Sequence, residues 1–250
     1  MKEYLHLFLK IASILIESGA EISRAETSLA YMFSAYGVKE THAYATTSHL
    51  VVTVETEDGK VYTETRRPGA ISNNFELLDK TNQLVRRIST EAPTAEEIRH
   101  ALKELPRKTY PLFVSALSQG AISAAFCLFF GSRSPMECLV AFLIAALLAC
   151  LASALDHIES NRFLKSMLLS FLASMCAFSL TRVGLVATPD YIIIGYIMNL
   201  IPGLGFTGAL RDLFVGDLFT GMVRILSAVL LAASLAVGFV LTMLIFGGAV

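Results

Sequence analysis

Hydrophobic positions follow two different patterns in this chain, with the change near residue 110. Before it they recur with a period; after it they run in long, nearly unbroken stretches. Between residues 4 and 17, Leu5, Phe8, Leu9, Ala12, Leu15 and Ile16 return at helical spacing and Gly19 follows as a stop, which predicts an amphipathic helix. A second helix is expected from Ser23, where Ser23 and Glu26 stand in the S-x-x-E capping-box arrangement, through Leu29, Met32 and Phe33 to Gly37. Over residues 41–67 the composition turns to Thr, Val and Tyr. Alternation at Val52, Val54 and Thr56 and a turn signal at Glu57-Asp58-Gly59-Lys60 predict two or three antiparallel strands there. Helical spacing resumes over residues 74–89, and Thr94 and Glu97 cap a further short helix that stops before Pro106. Residues 1–110 therefore read as an α+β domain of order α-α-β-β-β-α-α.

Beyond residue 110 the apolar stretches are long enough to cross a bilayer core, which takes about 20 residues of helix. Five are expected, at about 112–131, 136–155, 164–187, 191–210 and 218–246, the last two broken by Gly, Pro or charge. Residues 111–250 form the transmembrane domain on this reading. In the first span Ser115, Ser118, Gly120, Ala121 and Ser123 mark a face suited to close helix packing.

Composition supports two solvents. Hydrophobic residues make up 54% of the 250 positions, and the mean hydropathy is +0.61, above the roughly 45–50% apolar content of ordinary soluble domains. Residues 1–110 carry 14 Lys/Arg and 15 Asp/Glu, against 6 and 6 in the remainder. The net charge of −1 offers no concentrated basic face, so a nucleic-acid partner is not expected. Charges at Glu3, His6, Lys10 and Glu17 interrupt the first apolar residues, which argues against a cleavable signal peptide. Arg107, Lys108, Arg162, Lys165, Arg211 and Arg224 fall at one side of the five spans, and Arg133 and Arg182 at the other. The positive-inside rule then puts the N-terminal domain in the cytosol and the C-terminus, residues 247–250, outside. With no Trp in the chain, Tyr110, Tyr191 and Phe246 are the expected interfacial aromatics. Cys127, Cys138, Cys150 and Cys176 lie in apolar stretches without CxxC spacing and read as small packing residues.

Helix breakers and polar groups concentrate in residues 199–217, which contain Asn199, Pro202, Gly203, Gly205, Thr207, Gly208, Arg211, Asp212 and Asp217, with Arg224 following. Pro lacks an N–H and the glycines favour irregular backbone, so amides and carbonyls are freed at membrane depth, a device that transporters use to hold an anionic substrate. Arg211 and Asn199 add side-chain donors. The competing reading is an irregular packing turn with its charges in a solvated loop. Asp156, His157, Glu159 and Arg162 fall between spans and need only solvation to account for them.

In the first domain the polar cluster is Ser18, Gly19, Glu21, Arg24 and Glu26. It suits either anion binding or helix capping with a local Arg24–Glu pair. Ser18, His42, Ser48 and His49 supply the residue types of a hydrolase, but none lies in a G-x-S-x-G context. HExxH, P-loop and G-x-G-x-x-G strand-helix patterns are missing as well. No catalytic residue, metal ligand or cofactor is expected, and the energy for transport would come from gradients.

The Ser18-Gly19-Ala20-Glu21 to Arg24-Ala25-Glu26 cluster, the strand region, the Arg66-Arg67 pair and the Pro202-Gly203, Arg211-Asp212 and Gly216-Asp217 steps together carry a family resemblance. The chain resembles the N-terminal component of the bacterial threonine/serine exporter family, over nearly its whole length, and is most similar to the split, two-gene form, whose relatives include a succinate/dicarboxylate exporter subunit. The resemblance implies a non-enzymatic exporter of threonine and serine or of dicarboxylates in the bacterial inner membrane. It also implies a small hydrophobic membrane subunit as partner in a hetero-oligomer. Membrane-anchored hydrolysis and ligand sensing by the first domain are the alternatives left open.

Overall fold

The computed structural model describes residues 1–106, 110–156 and 161–246. Arg107, Lys108, His157, Glu159 and residues 247–250, named above, lie outside these. The chain forms two compact units, one of Met1–Lys108 with Phe214–Thr220 and one of Thr109–Leu213 with Gly221–Val250.

The first unit runs α1 (Lys2–Glu17), α2 (Ile22–Ser34), β1 (Val38–Ala45), β2 (Leu50–Thr56), β3 (Val61–Arg66), α3 (Phe75–Glu91) and α4 (Ala95–Glu104). Its strands make one antiparallel sheet in the order β1-β2-β3. Gly59, with φ of 74°, makes the β2–β3 turn. On β2, Leu50, Val52 and Val54 alternate inward and are fully buried. Where the periodicity predicts an amphipathic stripe on α1, the structure buries ten of its sixteen residues. The cause is position: α1 packs against α2, α3, α4 and two strands, so nearly its whole circumference faces protein. Phe8 is wholly buried and meets Phe33 and Tyr36 edge-on.

One expected cap forms and one does not. Thr94 and Glu97 make a reciprocal capping box on α4. At α2 the helix starts at Ile22 with Glu21 as its N-cap residue, so Ser23 lies inside the first turn and the Ser23–Glu26 box is absent. The Glu26 carboxylate is drawn instead to the Ala45 N–H at the end of β1, at 2.7 Å.

The second unit contains α5 (Leu112–Phe129), α6 (Pro135–Leu155), α7 (Arg162–Arg182), α8 (Asp190–Leu200), α9 (Gly203–Val215) and most of α10 (Leu218–Phe246). Among the described residues, α5, α6, α7 and α10 are each long and apolar enough to cross a membrane, and α8 with α9 makes a fifth span if the bent pair is counted as one. Each shows the sidedness that lipid requires. On α6, Val140, Ala141, Ile144, Ala145 and Leu148 are buried, whereas Leu139, Leu143 and Leu147 point outward. The third span is shorter than the apolar stretch: α7 ends at Arg182, and Gly184, with φ of 78°, turns the chain as the Leu185 N–H closes on the Leu180 carbonyl.

Small residues set the helix contacts, though not all those the sequence singles out. On α5 the buried face is Ala116, Gly120, Ser123 and Cys127, and Ser118 and Ala121 are exposed. A Cβ on Gly120 would fall 2.9 Å from the Phe142 ring on α6, and one on Gly195 of α8 would fall 2.7 Å from the Ser123 carbonyl oxygen. On α10, Gly238 lies against the α7 backbone, while the Ser170 hydroxyl donates to the Leu235 carbonyl at 2.8 Å and that of Thr242 to the Phe171 carbonyl at 3.1 Å.

Candidate functional site

The candidate site is built on a proline. Pro202 disfavours the α conformation for the residue before it; Ile201 is extended, at φ −66° and ψ 125°, and α8 ends there. The chain restarts as α9 after a bend of 49°. The Gly203 N–H bonds to the Ile201 carbonyl at 2.8 Å and the Phe206 N–H to the Pro202 carbonyl at 2.9 Å. Gly203 and Gly205 put no side chains over the start of α9, whose Leu204 and Gly205 amides have no intrahelical partner by helix geometry; among the described residues only Pro202 comes within 4 Å of a Cβ added at either.

The remaining candidates take distinct positions. Asn199, in the last turn of α8, donates to the Gln119 carbonyl of α5 at 3.1 Å, and so clamps two helices. The Thr207 hydroxyl turns back on its own helix, to the Gly203 and Leu204 carbonyls. Arg211 is exposed, whereas Asp212 points inward. There the Arg224 Nη1 of α10 donates to its Oδ2 at 2.7 Å, with the two side chains 17% and 6% exposed. Gly216, with φ of 100°, makes the turn into α10, and Asp217 caps that helix by accepting the Thr220 N–H at 3.2 Å. Pro202, Gly203, Gly205 and Thr207 thus share the break and the first turn of α9, and Asp212 joins Arg224 across the α9–α10 hairpin. Asp217 groups with the first unit.

Sequence reasoning passes over Glu137. This carboxylate, at the start of α6, is only 3% exposed. It accepts from the Ser132 hydroxyl at 2.5 Å and from both the N–H and the hydroxyl of Thr188 at 3.3 Å, tying the α5–α6 turn to the segment before α8. The one local signal is S-x-x-E at Ser134-Pro135-Met136-Glu137, where the Ser134 hydroxyl accepts the Glu137 N–H.

In the first unit the Ser18 hydroxyl is committed to the Ile14 and Leu15 carbonyls, at 2.6 and 3.0 Å, and is not presented as a nucleophile. Gly19 has φ of 97°, and a Cβ there would approach Asn73 Oδ1 to 3.1 Å, so this turn requires glycine. His42 contacts Glu40 on the exposed sheet face, and Ser48 lies in a turn with Thr46. Glu21 and Arg24 border a groove of about 360 Å³ shared with Arg86, Asn82 and Tyr31.

Burial pushes the Glu26 carboxyl above the usual carboxylate range, the Ala45 N–H opposes this, and the Asp217 carboxylate in the same unit pushes upward again. The folded state therefore binds the proton at higher pH than the unfolded chain. Stability from this group is fully present below the ordinary carboxylate range and is lost as pH rises through the raised pKa. Glu26→Gln keeps an acceptor for Ala45 and should raise the first thermal transition at pH 7 by roughly 1–3 °C. The gain should vanish near pH 4; an equal gain at both values would contradict the account. Calorimetry of the detergent-solubilised chain makes the comparison.

The profile of the ThrE family, threonine/serine exporter, matches residues 6–246. A protein named "Threonine/serine exporter" from Corynebacterium glutamicum is 26% identical over 248 residues, covering 94% of this chain and 49% of its own length. A "Probable succinate transporter subunit YjjP" of Klebsiella aerogenes is 22% identical over 242 residues, covering 96% of this chain and 93% of its own. A "Probable threonine/serine exporter" of Mycobacterium tuberculosis is 19% identical, over 97% of this chain and 46% of its own length. The chain thus spans about half of the Corynebacterium and Mycobacterium proteins and nearly all of the Klebsiella one. No solved structure matches it.

Proposed function

The chain belongs to the threonine/serine exporter family, and from that premise we propose that it is one subunit of a two-component secondary exporter of small polar metabolites bearing a carboxylate. Threonine, serine and dicarboxylates such as succinate are the candidate substrates. The observation that carries the reading is the α8–α9 break at Ile201-Pro202, which exposes helix-end amides within a span, where unsatisfied backbone is tolerated only against protein or a wet cavity. The path runs along Asn199, Pro202, Gly203, Gly205, Thr207, Arg211 and Asp212. In this reading the first unit is cytosolic, the C-terminus is outside, and the chain sits in a bacterial inner membrane. A small hydrophobic membrane subunit completes the exporter, which is supported by the half-length match to the Corynebacterium protein and the word subunit in the Klebsiella name.

Reconstitution tests it. The chain, purified with the membrane subunit that accompanies it, is expected to move labelled threonine, serine or succinate out of loaded vesicles, and Pro202→Ala should lower the rate about tenfold or more by mending the break. No flux of any of the three, together with normal cellular efflux in the Pro202→Ala strain, would refute the proposal. A second reading, ligand sensing by the first unit, is favoured by the Arg24–Arg86 groove, and saturable binding of a carboxylate there by a chain that transports nothing would select it.

A further inference from the structure

We propose that Arg224 is the residue that binds the substrate carboxylate, and that Asp212 occupies its guanidinium as an internal stand-in for that carboxylate; this rests on the exporter reading above. Charge buried in a membrane helix is expensive and needs a partner or a role. Arg224 is the seventh residue of a 29-residue helix, about 9 Å from its start, which places it near the edge of a hydrocarbon core about 30 Å thick. Its side chain is 17% exposed, and the carboxylate that it meets, Asp212, is 6% exposed.

The pair uses little of what the guanidinium offers. Arginine has five N–H donors in a planar fork, and among the described residues only the Nη1 contact to Asp212 Oδ2, at 2.7 Å, engages Arg224. Among the described residues no Arg224 nitrogen is both buried and without a partner, so the unused N–H groups are reachable from outside the protein rather than sealed within it. Space adjoins the Nη1 end of the fork. Gly208, one turn before Asp212 on α9, has no side chain; among the described residues a Cβ there would meet Arg224 Nη1 at 3.8 Å and no other heavy atom beyond its own helix backbone within 4 Å. The framework around this opening is tight: a Cβ on Gly221 would fall 2.6 Å from Leu213 and 3.0 Å from the Ala209 carbonyl, so α9 and α10 are held at fixed distance while the Gly208 side stays open.

A fork held by one carboxylate oxygen and open on the adjacent edge suits a second carboxylate bound bidentately. The ligand class is therefore a carboxylate-bearing metabolite, recognised by its carboxylate end; uncharged sugars or polyols of the same size lack the group that the fork reads. Asp212 keeps the guanidinium neutralised when substrate is absent, and a substrate carboxylate competes with it for the same N–H groups.

The test uses the full chain with its membrane subunit in vesicles, with labelled succinate and threonine as probes. Arg224→Gln should reduce kcat/KM about 100-fold or more; Arg224→Lys, which keeps the charge but loses the fork, should raise KM about tenfold with a smaller change in kcat. Gly208→Val leaves both charged residues in place and should also raise KM by filling the opening. The double variant Asp212→Asn/Arg224→Gln removes the buried charges together, so its thermal transition should approach that of the wild type while transport stays lost. Recovery of transport in the double variant, or a wild-type KM in Gly208→Val, would show a purely structural pair and overturn the inference. The exporter reading fails separately, when the wild-type complex itself moves neither probe.

Discussion

Gly238→Leu is expected to prevent the membrane helices from assembling. A Cβ at this position would lie 2.3 Å from the Met167 carbonyl oxygen and 2.9 Å from the Phe171 amide nitrogen, both backbone atoms of α7. No rotamer change relieves a clash with backbone, so α10 must move away from α7. That movement stretches the Ser170 to Leu235 and Thr242 to Phe171 hydrogen bonds, which flank the contact. It also loosens the stacking of Phe246 on Phe178 at the end of the same helix pair. Overpacking costs about 1–3 kcal/mol, and each buried hydrogen bond left unmade about 1–3 more, so a loss of about 3 kcal/mol or greater is expected. Gly238→Ala, carrying only the Cβ, should fold with a transition lowered by several degrees, whereas the leucine variant should elute as aggregate in detergent. A leucine variant that melts like the wild type would mean that α7 and α10 do not pack here.

Glu137→Ala is expected to have the second-largest effect, at the opposite kind of contact. The carboxylate gathers three donors, from Ser132 and from both the backbone and side chain of Thr188, in a site 3% exposed. Its removal strands those donors where water does not reach them. A hydrogen bond contributes about 1 kcal/mol net, so the loss of three should come to about 3 kcal/mol, against about 1 for Ser132→Ala, which removes one donor. Thermal unfolding in detergent ranks the two, and a Glu137→Ala transition within a degree of the wild type would refute the bridge. Limited proteolysis should find the segment around Thr188 cleaved sooner in Glu137→Ala than in Ser132→Ala.

What the sequence foretells here depends on how far apart the partners are. The Thr94–Glu97 box is legible because both members and both hydrogen bonds lie within one turn. Ser23 and Glu26 have the same spacing and the opposite outcome, because Ala45, nineteen residues away, claims the Glu26 carboxylate. The α1 periodicity marks a helix correctly but understates its burial, since elements on every side depend on the later chain. The Pro202 break is readable because proline acts on its own neighbours. Glu137 is not: Thr188, its partner, lies fifty-one residues on, and a lone acidic residue opening an apolar stretch looks like a first-turn helix charge. The Asp212–Arg224 pair falls between these cases, with both residues visible in the sequence and their contact decided by the α9–α10 turn at Gly216.

The spans also differ greatly in length. α5 has 18 residues and α10 has 29, about 27 and 43 Å of helix. One bilayer cannot match both upright: a membrane that fits α5 leaves α10 tilted or carries its first turns out of the hydrocarbon, while a thicker one draws those turns in and stretches or thins around α5. Acyl-chain length therefore sets the depth, and with it the hydration, of Arg224. The lipid composition of the host membrane becomes a variable of the same standing as the side chains.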